Sequence, residues 1–277
     1  MVYLKKLFYK ITSKIIRDEL RFIRVQRPIT NISGPLYKQN HYKIEIDITY
    51  KCNLKCMNCN RSCRQAASEE CMSVEQIEKF IKESKEQKRK WEQITIAGGE
   101  PTLHPNIFDI IQLLLSYKKN FSPNTRLEFV TNGYGYEVNS VLSKIPSEVV
   151  IRNTKKQPIP FCFYPFNTAP IDVGKYKYAD YSNGCSVVQI CGVGLTRYGY
   201  YTSSVAGGID RVCGFNIGRK SLPSLDDSMV DQRKILCRYC GHFKEFINEI
   251  TKEEKISLSW EKAYENYQNK KPYLSLY

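Results

Sequence analysis

The run Cys52-Asn-Leu-Lys-Cys56-Met-Asn-Cys59 sets three thiols in one short stretch of chain. Soft thiolates suit zinc and iron–sulfur clusters above all. Three of them in one loop can hold three corners of an iron–sulfur cubane and leave the fourth iron without a protein ligand. An open iron of that kind can be taken by a substrate. A second group, Gly98-Gly99-Glu100-Pro101, lies some forty residues further on. Read alone, the thiols could equally hold zinc and the second group could be an ordinary turn.

The elements that must position these residues follow from periodicity. Ile44, Ile46 and Ile48 alternate with Glu45, Asp47 and Thr49, which predicts a strand leading directly into the thiol loop. Ser73 with Gln76 three residues later is a capping box, opening an amphipathic helix through Ile77, Phe80 and Ile81. The thiols therefore belong to a strand-to-helix loop. Strands are then predicted at 93–97, 127–131, 149–151 and 161–166, with helices after Pro105 and near Val141. Repeated strand–helix units imply parallel strands with helical crossovers, in which chemistry collects at the C-terminal strand ends.

The Cys-x3-Cys-x2-Cys spacing after the first strand, together with Gly-Gly-Glu-Pro ending the second, resembles the radical S-adenosylmethionine superfamily. The resemblance covers roughly residues 42–172. It implies an α/β fold, a partial (β/α)6 TIM-like barrel, with Cys52, Cys56 and Cys59 on a 4Fe-4S cluster whose open iron is chelated by S-adenosylmethionine. It also implies reductive cleavage to methionine and a 5′-deoxyadenosyl radical, a small-molecule substrate, and a low-potential electron donor such as flavodoxin or ferredoxin. Gly98, Gly99, Glu100 and Pro101 would then bind the cofactor, the glycines by close backbone approach and Glu100 by accepting from its ammonium group. Thr131, Asn132 and Asn153 end the third and fourth strands where members of the superfamily contact the methionyl and ribose groups. Asn58 stands where the family usually has a bulky side chain near the adenine. A fourth protein ligand would block the cofactor's iron, so Cys63 and Cys71 are assigned as ordinary thiols. Cys162 is assigned to the core, and His104 to a helix start.

Beyond Asp172 the regularity fades into sequence rich in Gly, Tyr and Cys. Cys237-x2-Cys240 has metal-pair spacing and needs two upstream ligands. The layout resembles the twitch module, half of a SPASM domain, which carries an auxiliary iron–sulfur cluster. Cys191 and Cys213 are the expected partners of Cys237 and Cys240, with Cys185 as the alternative, and structural zinc is the rival reading. The SPASM pattern would put a cysteine where Ser204 stands. The expected organisation is a basic N-terminal segment (1–40), a barrel (41–175) and a cysteine-containing, loop-rich module (176–277).

The 277 residues carry a formal charge of +14, which favours an anionic ligand or surface. The basic residues are dispersed and no nucleic-acid motif is present, so nucleic acid is not expected as a partner. Leu4, Leu7, Phe8, Ile11, Ile15 and Ile16, interleaved with Lys5, Lys6, Lys10, Lys14 and Arg17, predict a basic amphipathic helix, packed on the domain or lying on a membrane or partner. No membrane-spanning run or signal peptide is recognised, and eleven cysteines without one argue for metal chemistry in a reducing, cytoplasmic setting. The expected activity is oxidation, epimerisation or rearrangement of a small polar, sugar-like or nucleotide-like substrate. A peptide maturase is the near alternative. A non-catalytic iron–sulfur or zinc module binding RNA is the alternative of another class.

Overall fold

The computed structural model describes residues 16–157, 164–244 and 253–277. Three strand–helix units open the domain: β1 (Lys43–Thr49) and α3 (Val74–Glu86), β2 (Gln93–Gly98) and α4 (Ile107–Asn120), β3 (Arg126–Thr131) and α5 (Tyr136–Leu142), followed by β4 (Val149–Asn153). They are preceded by a helix over 16–24 (α1) and by α2 (Arg27–Ser33). The Ser73 capping box forms as read: its hydroxyl accepts from Gln76 N, and Gln76 Oε1 accepts from Ser73 N.

Strands β1 to β4 are parallel and adjacent in chain order. Ile44, Ile46 and Ile48 pack with Ile77, Phe80, Ile94, Ile96, Ile110 and Phe129 between sheet and helices. The opposite face of β1 is buried too, so Glu45, Asp47 and Thr49 look into the concave side of a partial TIM-like barrel. Such double coverage is usual for parallel sheets.

The last third of the chain completes this sheet. Strand β5 (Val193–Thr196) pairs parallel with β1, Ile44 opposite Val193, and β6 (Gly199–Tyr201) turns back antiparallel, giving the order β4-β3-β2-β1-β5-β6. The segment expected to be a loop-rich module thus contributes two strands to the barrel sheet. It also supplies α6 (Val187–Ile190), α7 (Ser204–Cys213), α8 (Val230–Leu236) and α9 (Leu258–Asn269). Helix α7 lies close against the sheet because Gly207 has no side chain; a Cβ there would come within 2.6 Å of Thr196 Cγ2.

The predicted strand at 161–166 and Cys162 lie largely outside the described residues; 164–166 are not extended strand. The N-terminal amphipathic helix is described only from residue 16. There the buried side is formed by Arg21 and Val25, whereas Ile16, Leu20 and Ile23 are exposed. Arg21 donates to the carbonyls of Gly184 and Phe243. No helix of the described residues is long and apolar enough to cross a membrane.

Candidate radical site and a second cysteine cavity

The ends of β1 and β2 are joined by backbone bonds, Gly99 N to Thr49 O and Glu100 N to Lys51 O, both 2.8 Å. Here the glycines are obligatory. A Cβ on Gly98 (φ +141°) would lie 2.3 Å from Thr49 O, and one on Gly99 would lie 2.3 Å from Lys51 O. Their absent side chains bring β2 against the start of the thiol loop.

Glu100 is fully buried, and its carboxylate accepts from Thr102 N and Oγ1, from Thr131 Oγ1 and from Asn132 N, the last at 2.7 Å. The carboxylate thereby locks the end of β3 to the end of β2. Asn132 in turn donates to Asn53 Oδ1 (2.8 Å) inside the thiol loop. Asn53 Nδ2 donates to Tyr134 O (2.8 Å). Three strand ends and the thiol loop are thus one hydrogen-bonded unit.

These ends surround a cavity of about 340 Å³ lined by Cys52, Cys56, Cys59, Gly98, Gly99, Thr131 and Asn132, with Leu54 and Val130. Seven of the expected site residues therefore meet. Glu100 and Pro101 stand behind the cavity wall. Asn153 packs its side chain over Gly133 and accepts from Lys155 N at 2.8 Å, and its neighbours Arg152 and Thr154 reach the cavity instead. Cys63 also lines the cavity, beside Cys59. The Cys63 thiol bonds the Cys59 sulfur and holds it down at about 6, against the upward pull of burial. Burial pushes Cys52 up to about 12 and raises Cys56.

Sequence reading missed the other wall. Arg61 pairs with Glu45 and Asp47 and donates to Ser204 Oγ at 2.8 Å. Burial raises Asp47 to about 6, opposed by the Arg61 charge. Glu45, Arg61, Arg152 and Lys156 line the cavity together. The available signal was the acidic face of β1, because carboxylates on a strand covered on both sides must face a polar cavity or an ion partner.

The loop after the thiols is held from a distance. Arg211 on α7 donates to the carbonyls of Ala66, Arg61 and Ser62 and lies 4.2 Å over the Tyr50 ring. Asn58, at φ +52°, is buried and accepts from Lys255 N at 2.9 Å, anchoring the loop on its other side. His104 is structural: its Nε2 donates to Met72 O and its Nδ1 accepts from Asn106 N.

The C-terminal cysteines divide. Cys185, Cys237 and Cys240 line one narrow cavity with His242, walled by Val188, Val205, Ala206, Ile209 and Leu236. Cys191 lies within electrostatic reach of Glu45, Arg61 and Arg152 of the first cavity and of Cys185 of the second. Cys213 lies one helical turn beyond Ile209, which lines that cavity, and packs against the apolar cluster that includes Ile209 and Cys240. No disulfide joins the cysteines of the described residues. A larger, more open groove of about 1050 Å³, lined by Arg27, Lys177, Lys234 and Arg238 among others, contains none of the thiols.

Residues 46–147, a little over a third of the chain, match the family model described as Radical SAM superfamily. Among curated proteins, the probable GTP 3′,8-cyclase of Pyrococcus horikoshii is 31% identical over 102 residues, 37% of this chain and 28% of that protein. The GTP 3′,8-cyclase of Aliarcobacter butzleri is 31% identical over 93 residues, 33% of this chain and 27% of that protein. The matched stretch is little more than a quarter of the length of these relatives. A solved structure of BtrN in complex with AdoMet and 2-DOIA aligns over 79% of this chain and 98% of that one, with 14% identity and a TM-score of 0.45.

Proposed function

We propose that the protein is a radical S-adenosylmethionine enzyme acting on a small polar substrate, with the cofactor's cluster on Cys52, Cys56 and Cys59. The observation that carries this reading is the meeting of these three thiols with Gly98, Gly99, Thr131 and Asn132 around one cavity. The donor set fits the group, since soft thiols crowd one wall and backbone polar groups of strand ends the other. When bound and reduced, the cluster and S-adenosylmethionine would supply a 5′-deoxyadenosyl radical able to abstract hydrogen. The chain's own part is positional. The Glu100 lock fixes the Thr131 and Asn132 backbone, Asn53 ties that strand end to the thiol loop, and Leu54 and Val130 give the cavity apolar surface.

Glu45, Arg61, Arg152 and Lys156 form a wall of mixed charge that suits a polyhydroxylated or anionic metabolite, sugar-like or nucleotide-like. The curated relatives are named for GTP, but Glu45, Arg152 and Lys156 fall outside the segment matched by the family model. The substrate is therefore read from this wall and not from the relatives. Cys237 and Cys240, with Cys191 and Cys213 or with Cys185, are read as ligands of an auxiliary iron–sulfur centre, which would accept the electron left on a substrate radical and so favour two-electron oxidation.

The test is anaerobic reconstitution followed by reduction. The protein should hold about four irons at the triad and convert S-adenosylmethionine into 5′-deoxyadenosine and methionine. Joint replacement of Cys52, Cys56 and Cys59 by alanine should abolish the conversion, and full activity in that variant would overturn the reading. Incubation with fractionated deuterated extract would then identify the hydrogen donor by deuterium in the deoxyadenosine.

A further inference from the structure

The groove of about 1050 Å³ collects cations from three parts of the chain. Helix α2 contributes Arg27 and Asn31, the segment 177–181 contributes Lys177 and Tyr178, and the end of α8 contributes Lys234 and Arg238. Backbone joins the first two: Gln26 and Ala179 form an antiparallel bridge, and Asp180 N donates to Val25 O at 2.7 Å. Val25, Ala179 and Tyr181 are buried together with Cys237 and Phe243. The four cations therefore stand on a frame that packing holds in place.

None of the four pairs with a carboxylate among the described residues. Elsewhere Arg61, Arg152 and Arg219 are each matched by Glu or Asp. The carboxylates at hand are used locally. Asp180, the acidic residue of the lining, accepts from Ser182 N at 3.0 Å and caps the 3-10 turn that follows. Asp172, next to Ile171 of the lining, accepts from Ser259 N and Oγ. Arg27 adds to the repulsion among the cations, because it opens α2, where the helix dipole disfavours positive charge and the first turn holds no acidic residue. A cleft walled by one sign of charge focuses its field outward, and an anion that enters relieves the repulsion.

We propose that this groove is a second ligand site, outside the radical cavity, for a small anion carrying two or more phosphate groups. Arginine's planar fork meets phosphate oxygens in pairs, and lysine supplies point charges. Cations from three elements call for an anion with several separated charges, which a phosphate chain has and a lone carboxylate lacks. The concavity is of the size that holds a small molecule. Lysines line it, whereas the centres of protein–protein interfaces are depleted in them. Tyr178 is 76% exposed, and Lys177 Nζ lies 5.6 Å from the centre of its ring, so the groove also offers an aromatic face. Free polyphosphate and a nucleotide share this chemistry.

Isothermal titration of the reconstituted full chain with tripolyphosphate, with ATP and with orthophosphate tests the site and separates the two sources. Tripolyphosphate should bind with single-site stoichiometry, about tenfold or more tighter than orthophosphate, and should weaken as salt rises. Amide hydrogen exchange should slow at 177–181 and 234–238 on binding. Arg27→Glu combined with Arg238→Glu should weaken binding by about a hundredfold. Both side chains are exposed, so the ligand-free Tm should move by no more than about 2 °C. Equal affinity for ATP marks the phosphate chain alone as ligand, and a gain for ATP that Tyr178→Ala removes marks a nucleotide; either supports the proposal. Unchanged binding in the double variant, protection confined to the radical cavity, or no binding of either probe would overturn it. So would a single-stranded oligonucleotide held more tightly than both probes and released by the same variant, which would make the groove a nucleic-acid channel.

Discussion

The two cysteine cavities are built on opposite plans. The three thiols of the radical site come from a single loop, and their cavity is closed by polar groups at the ends of β1, β2 and β3. The thiols of the second cavity come from two segments some fifty residues apart, Cys185 and Cys237–Cys240, and its walls are faces of α7 and α8. In the first, ligands are local and their support is remote, since Arg211, Asn58 and Glu100 all hold the loop or its surroundings through long-range bonds. In the second, support is ordinary apolar packing and the thiols themselves are remote. Metal should therefore stabilise the fold through the second site far more than through the first, and the first should depend on residues that never touch metal.

The largest expected effect tests that dependence. Arg211→Ala removes a buried guanidinium with bonds to the carbonyls of Ala66, Arg61 and Ser62 and to Tyr267. It should cost about 3–5 kcal/mol in denaturant unfolding and lower iron retention at the triad. Unchanged stability and iron content would mean that the thiol loop is self-sufficient. Glu100→Ala comes next, at about 2–4 kcal/mol, because it strands the donors of Thr102, Thr131 and Asn132. It should also weaken S-adenosylmethionine binding, with Glu100→Gln recovering part of both losses. A binding loss without any stability loss would return Glu100 to direct contact with the cofactor.

The third prediction compares the cavities directly. A metal bridging Cys185 and Cys237 closes a long loop, whereas one on Cys52–Cys59 closes a very short one. In metal-loaded protein, Cys237→Ala should lower Tm by roughly 5–10 °C and Cys56→Ala by much less. Equal shifts would remove the contrast. The smallest effect concerns pH and should be indifferent to both sites. Burial lowers the His104 pKa below its usual 6.5, so the folded state disfavours a proton that the unfolded chain binds. Stability is present above that value and falls as pH drops through 6.5. His104→Gln should flatten this slope, read as Tm against pH.

What the sequence could carry follows the same division. The triad, Gly98–Gly99 and the Ser73 cap are contiguous patterns, and each lies where its spacing put it, because local geometry decides them. The alternation of Glu45 and Asp47 with isoleucines identified β1, but what a polar face meets depends on Arg61 and Ser204, which only the fold brings there. The lock that Glu100 forms was not legible for a related reason: its donors from β3 cannot be read at a distance of thirty residues.

The pairing of β1 with β5 has a consequence in time. Ile44 and Val193 are 149 residues apart in the chain. At about 5–20 residues per second of synthesis, the β5 edge of β1 waits roughly 7–30 s for its neighbour to emerge. For that interval one row of strand amides and carbonyls lacks its partner, and the thiol loop lacks Arg211. Nascent chains are thus exposed to edge-to-edge association. The thiol loop gains its Arg211 support only when the last third has closed the sheet.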